Sequence, residues 1–426
     1  MILVVARVGQ VRVGTRVRLP DLVGVGVLTA AFPPELVDLA IDEWDARGER
    51  ARVLPARLMA YYAMAMAMHF DSGYGEVWNK LLSGLSWARR YRQRVRAGVA
   101  PSTAALTKAR QRLGWEPMAA VLDTSMRRIE AGPREAPWAY FHGLRVLAID
   151  GFTMNVAKTP DNVEEFGVPA NDTGVGSFPR VRVVALAETG TRSLQGVRVG
   201  PLSEGEQTMA RRLWPSCGRG DVVVGDRGFL SYEDLRAIID SGAHAVLRAK
   251  ADIDLPVLAV APDGSYLSRI ADPRASKRMR RKHLPAQDIP GIAVRVIEYS
   301  VAAEDEDGGE VSEVFALVTT LTDHEAYPIE DFPDLYHDRW QLETAIGDVE
   351  TRLRPGPHAV LRSKSPDMVR QEIYGLLCTY QAIRALIAAG AEETGLDPDR
   401  ISFTRAKQAA ERHLSDDSAF SPCGPA

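Results

Sequence analysis

Cysteine is scarce in this chain. Its 426 residues contain only Cys217, Cys378 and Cys423, widely spaced and with no CxxC pair. That excludes a disulfide framework and a thiolate metal site, and makes a reduced cytoplasm the natural setting. The apolar stretch LMAYYAMAMAMHF at residues 58–70 falls short of the roughly 20 residues that span a bilayer, and its alanines and methionines suit a buried helix. Residues 1–19 alternate apolar and polar with arginines spread among them, the pattern of a strand and not of a signal peptide, so no membrane is expected. There is no glycine-rich phosphate loop followed by Lys-Ser or Lys-Thr, no HExxH and no GxSxG, which removes the commonest nucleotide, zinc-protease and serine-hydrolase readings. No internal repeat and no low-complexity tract is present.

A surplus of positive charge is also missing. The net charge of -4 argues mildly against a nucleic-acid partner, except that the signs are segregated. Residues 89–112 carry eight Lys or Arg and no acid, among them Arg89, Arg90, Arg92, Arg94, Lys108, Arg110 and Arg112. Residues 274–283 carry six more. Either run alone fits a solvated surface; together they form two phosphate contacts for a long DNA duplex. The acidic balance comes partly from EDEDGGE at 304–310, placed as a solvated hairpin tip between two strand-like runs.

What is present is a multidomain pattern. With 46% hydrophobic residues over 426 positions, the chain can bury a sizeable core and exceeds the length at which single cores keep growing, so two or three domains are expected. Residues 1–138 are mostly helical after a short strand region, broken at Pro33-Pro34, Gly48 and around 98–101. From about 139 the order is strand (144–150), strand (179–188), strand (194–202), helix (205–214), strand (221–226), helix (231–242) and strand (244–250). Ser231 with Asp234 opens the second helix, and Gly242 closes it. This is the order of the ribonuclease H-like α/β fold. A strand-rich stretch at about 251–330, too long for a loop, interrupts that catalytic domain before it ends near 354. Residues 355–426 form an amphipathic helical region with a disordered tail from about 415.

Two runs of this core, LRVLAID and DVVVGD, end in Asp150 and Asp226. Groups just past strand C-termini sit at the mouth of an α/β sheet, although Asp before Gly is also a common turn signal. Later comes YHDRWQLETAIGDVE at 336–350. At about 100° per residue, a helix there lines up Tyr336, Arg339, Glu343 and Glu350, with Trp340, Leu342, Ile346, Val349 and Leu353 packed beneath. Alone, the stripe also fits the solvated face of a charged helix. Trp340 reads as core in preference to a base-stacking platform, His337 as surface or packing, and Arg248 and Lys250 as strand-end charges beside the site. Asp150, Asp226 and Glu343 make a suitable set for two Mg²⁺ ions about 3.5 to 4 Å apart, the arrangement that holds attacking and leaving oxygens in phosphoryl transfer.

These motifs resemble a DDE-type insertion-sequence transposase of the insertion-sequence-four family, whose helix signature is Y-x(2)-R-x(3)-E-x(6)-K. Tyr336, Arg339 and Glu343 match it; AIDGF and GDRGF carry the matching aspartates; Glu350 stands where the family has lysine. The resemblance covers roughly residues 20 to 390. It implies an enzyme that binds double-stranded DNA at the terminal inverted repeats of its element and at a target. It further implies cleavage and strand transfer with Mg²⁺ or, in substitution, Mn²⁺, a hairpin route, and a homodimer in a synaptic complex acting at the nucleoid in a bacterial cytoplasm. Tyr336 and Arg339 are expected to position the DNA backbone. A carboxylate at 350 repels phosphate, so either Arg352 and Arg354 supply the charge or Glu350 is itself a ligand; Glu343 has the matched spacing. A catalytically silent DNA-binding descendant and a nuclease of the same fold are the alternatives.

Overall fold

The structure, a computed structural model, describes residues 25–46, 54–84, 101–126, 134, 136–169, 177–250, 253–280, 290–304 and 310–412. The strand expected before residue 20, Arg89, Arg90, Arg92 and Arg94, the tip of the acidic hairpin and the tail from 415 lie outside the described residues.

Among the described residues six helices come first: α1 (Val25–Ala31), α2 (Pro34–Glu43), α3 (Ala56–Met68), α4 (Tyr74–Gly84), α5 (Thr103–Leu113) and α6 (Glu116–Ser125). Pro34 lies in the first turn of α2, where its missing N–H has no helical partner to lose. Ser102 starts α5 by accepting from the Ala105 N–H, and Gly114 at φ 75° ends it. α3 is buried all round from Leu58 to Met68, as its run of alanine and methionine implies.

The sheet region runs β1 (Leu144–Val156), α7 (Pro160–Phe166), β2 (Arg180–Glu188), β3 (Leu194–Pro201), α8 (Glu206–Arg211), β4 (Asp221–Gly225), α9 (Tyr232–Asp240) and β5 (His244–Arg248). Next come β6 (Ala259–Val260), β7 (Tyr266–Ala271), α10 (Pro273–Arg280), β8 (Gly291–Glu304) and β9 (Glu310–Thr319). The last described α-helices are α11 (Phe332–His337), α12 (Trp340–Thr351), α13 (Pro366–Thr394) and α14 (Phe403–Arg412). Spatially the strands lie in the order β3-β2-β1-β4-β5-β9-β8-β7-β6 of one 11-stranded sheet, with two-residue strands Tyr140–Phe141 and Val360–Leu361 added beside β1. β1 to β3 are antiparallel neighbours, and β4 and β5 join parallel. That is the ribonuclease H-like core. All five residues of β4 are buried, as a parallel strand covered on both faces must be. The strands after β5 extend the same sheet, because β9 pairs antiparallel with β5 and β8 with β9.

Strand alternation sorts the side chains into two cores. Val146 and Ala148 of β1, with Val222 and Val224 of β4, join the core that also holds α3, α11, α12 and α13. Leu147, Ile149 and Val223 join the opposite core, with Met209, Trp214, Leu235 and Ile238. α13 is more enclosed than an amphipathic helix. It is the one described helix long and apolar enough to cross a membrane, yet 83% of that window is buried inside the protein. It is sandwiched: Thr379 Oγ1 donates to Met64 O of α3 at 2.8 Å, while Gln381 Oε1 accepts from the Leu194 N–H of β3 at 2.8 Å.

Candidate active site

The first two acids are placed by register. Ile149 pairs with Gly225 as the last parallel pair of β1 and β4, so Asp150 on β1 and Asp226 just past β4 are the next residues of the two neighbouring segments. Since side chains alternate, both continue the faces of Val146, Ala148 and of Val222, Val224, toward α11 and α12. Asp226 is also a cap: its Oδ1 accepts from the Gly228 N–H at 2.6 Å and starts a single 3₁₀ turn, Arg227–Phe229. The turn role and the site position therefore coincide in this residue. Asp150 is less open than a sheet-mouth position suggests, its side chain being 25% exposed. Burial pushes its carboxyl up to about 6; the Gly151 N–H and the Arg339 charge act against that, while Glu343 and Asp226 add to it.

The expected single helix over 336–350 is two helices. Between α11 and α12 the backbone tightens, with Gln341 N–H donating to Asp338 O and Leu342 N–H to Arg339 O. Three-residue closure advances the chain faster than 3.6 per turn, so the two helices present different faces. Tyr336 is thereby turned inward, 5% exposed, with its ring edge-on to Phe315 at 6.1 Å. Arg339 and Glu343, one turn apart, stay together: Arg339 Nη1 donates to Glu343 Oε1 at 2.5 Å and lies 3.8 Å from Asp150 Oδ2. Leu342, Val349 and Leu353 pack inward, but Trp340 does not. It is 52% exposed, which corrects its reading as core, with the Arg339 guanidinium 5.0 Å from its ring. The side chain at 340 begins α12 on the side away from the buried Leu342.

Further along α12, Glu350 is half-buried. Burial raises its pKa, against the charges of Arg354 and His358. Arg354 is 2% exposed and donates Nη2 to Ala359 O at 2.6 Å. It is a buried side chain beside Glu350 and not an open cation at the site.

The basic run divides. Lys108 and Arg112 are exposed on α5. Arg110, expected to contact DNA, is 1% exposed; its Nε donates to Gln371 Oε1 at 2.9 Å, Nη1 to Tyr74 Oη at 3.1 Å and Nη2 to Ser363 Oγ at 3.4 Å. It fastens α5 to α13 and has no face left for phosphate. Arg248, at the end of β5, stacks over Phe315 at 4.1 Å. One acid escaped the sequence reading. The Glu206 carboxylate at the start of α8 fills the space beside Gly151, where a Cβ would come within 2.9 Å of it, and pairs with Arg182 at 3.6 Å. Its only signal was the glycine after Asp150, which leaves room for it.

The charges of Glu343 and Asp226 raise the proton affinity of Asp150, and carboxylates grouped in this way suit a hard divalent cation, which takes oxygen ligands. Among the described residues, however, no three acids or other ligands are close enough to hold an ion as they stand. Arg339 stands among them instead.

A sheet of this order, with one acid on its first strand where the parallel pairing ends, a second just past its fourth strand and a carboxylate on the helix after an antiparallel extension, defines a ribonuclease H-like phosphoryl-transfer enzyme. Residues 141–382 match the family described as Transposase DDE domain, and residues 22–123 the one described as Insertion element 4 transposase N-terminal. The chain belongs to the DDE transposases, in the insertion-sequence-four group. It is 26% identical over 374 residues to Transposase InsG for insertion sequence element IS4 of Escherichia coli (strain K12), covering 87% of this chain and 78% of that protein. It is also 26% identical over 142 residues to Putative transposase InsZ of the same strain, covering 33% and 46%. It is a DNA transposase, an enzyme of DNA cleavage and strand transfer that depends on a divalent metal.

Proposed function

We propose that Asp150, Asp226 and Glu343 are the catalytic carboxylates, and that the DNA they act on is the terminal inverted repeat of the chain's own element and then a target. The observation that supports this most is the joint placement of Asp150 and Asp226 past one parallel pair, on the face from which Arg339 and Glu343 approach. These three carboxylates would hold two Mg²⁺ ions, or Mn²⁺ in substitution, which supply charge neutralisation at the attacking and leaving oxygens of an in-line displacement. Arg339 binds the backbone phosphate near the scissile bond. Tyr336, buried with its ring centroid 5.9 Å from the Arg339 guanidinium, positions that arginine and does not touch DNA. Trp340 offers an exposed ring on which an unpaired base stacks. Lys108 and Arg112, with Arg89, Arg90, Arg92 and Arg94, carry the duplex contact.

In the same reading the protein works as a homodimer in a synaptic complex, by a hairpin route, on DNA in a bacterial cytoplasm. The test is incubation of purified protein and Mg²⁺ with a DNA fragment carrying the element's ends. Cleavage at the ends followed by joining to a second duplex supports transposition. Cleavage without joining points to a nuclease, and binding alone to the silent descendant that Glu350 suggests.

A further inference from the structure

The implied metal and the observed geometry meet at one side chain. Arg339 Nη1 is 2.5 Å from Glu343 Oε1 and 3.8 Å from Asp150 Oδ2, with its side chain only 12% exposed. A guanidinium cannot lose its charge at any ordinary pH, so it shares one permanent positive charge between two of the three proposed ligands while it stays there. It is also incompletely held: its Nε is buried and has no hydrogen-bond partner among the described residues. An unsatisfied buried donor disfavours the arrangement that contains it, which makes the seat one the side chain can leave. A second seat lies close by, since the guanidinium is already 5.0 Å from the exposed Trp340 ring.

We propose that Arg339 is the resident counter-ion of the DNA-free site. It holds Glu343 and Asp150 in place of a divalent cation and gives them up when a DNA phosphate draws the guanidinium outward, so that DNA engagement precedes tight metal binding. This rests on the reading of Asp150, Asp226 and Glu343 as the metal-binding carboxylates. The consequence is restraint: free enzyme in a cell holding millimolar divalent cations keeps its site shut until a phosphate backbone arrives. A phosphate competes well for the arginine because its planar fork matches two phosphate oxygens at once.

The experiment is Mn²⁺ titration of the DNA-free full chain, by calorimetry and by electron paramagnetic resonance of the free ion. Arg339→Gln is expected to bind Mn²⁺ at least about tenfold more tightly than the wild type, equivalent to about 1.4 kcal/mol. Arg339→Lys, which keeps the charge, should stay within about threefold of the wild type. Equal or weaker Mn²⁺ binding by Arg339→Gln, with Asp150→Asn binding none, overturns the counter-ion proposal and leaves the ligand assignment standing. Wild-type Mn²⁺ binding in both Asp150→Asn and Glu343→Gln overturns the ligand assignment itself. Should Arg339→Gln fail to fold, guanidinium-selective nuclear magnetic resonance of the wild type decides. The Arg339 signal should keep its position in Mg²⁺ alone and move when an end duplex is added; movement of equal size in Mg²⁺ alone overturns the proposal.

Discussion

Arg339 reaches back from the N-cap of α12 to within 3.8 Å of Asp150 on β1, so a helix that follows the antiparallel extension is tied to the first core strand. The contact joins positions 189 residues apart in the chain, and it is electrostatic. Each of the three acids has a separate reason for its place: Asp150 and Asp226 from strand register, Glu343 from the helix.

From that arrangement, Asp150→Ala, Asp226→Ala and Glu343→Ala should each reduce cleavage of end DNA by at least about 10³-fold, since each removes part of the charge stabilisation at the reacting phosphate. Affinity for the same DNA should change less than about threefold, because no phosphate contact is lost. Single-turnover cleavage and anisotropy measure the two. Full cleavage by any one variant removes that residue from the assignment.

Trp340 and Arg110 exchange the roles the sequence suggests. Trp340→Ala should leave stability within about 0.5 kcal/mol, as for other exposed positions, while lowering cleavage by about tenfold through a lost stacking surface. An unchanged rate would return Trp340 to an incidental surface residue.

Arg110→Ala should lower unfolding stability by about 3 kcal/mol, because it strands Gln371 and the hydroxyls that the buried guanidinium binds. The slope of log affinity against log salt should not change. By contrast, Lys108→Ala should leave stability alone and make that slope shallower by about one unit.

Glu350→Lys should tighten end binding and steepen the salt slope by about one unit, by turning a repelled phosphate into an attracted one. It also places a cation beside buried Arg354, whose charge burial already disfavours and Glu350 supports. A loss of about 1 to 2 kcal/mol of stability should accompany the gain, read by denaturant unfolding. Lost cleavage in Glu350→Lys together with an active Glu343→Gln would instead make Glu350 the third carboxylate.

A pH effect is expected far from the carboxylates. His69, at the end of α3, has its pKa pushed down to about 4, first by burial and then by the charges of Lys80 on α4 and Lys407 on α14, with Glu76 opposing. The unfolded chain therefore binds a proton near pH 6.5 that the folded chain refuses until about 4. Stability from this site is present above pH 6.5 and is lost as pH falls through 4. Melting temperature should decline over that window in the wild type and decline less in His69→Gln; equal slopes would dismiss the histidine as the cause.

The sequence by itself determined the core strands, because alternation and β-branched runs depend on period-two geometry alone. It also determined where Asp150 and Asp226 fall, each one residue past a buried run, and the one-turn spacing that keeps Arg339 on Glu343. It could not give the sheet order beyond β5, where β8 and β9 extend one continuous sheet; pairing partners are chosen by long-range packing. Nor could it say which way a polar or aromatic side chain faces when the helix carrying it is interrupted. The tightened turn before Trp340 sends Tyr336 inward and leaves Trp340 outside. The closure of α5 on α13 buries Arg110, and the packing of α8 beside Gly151 brings up Glu206. Local pattern fixes which residues share a face; only the folded chain decides whether that face meets solvent, another helix or a charge, because that depends on neighbours hundreds of residues away.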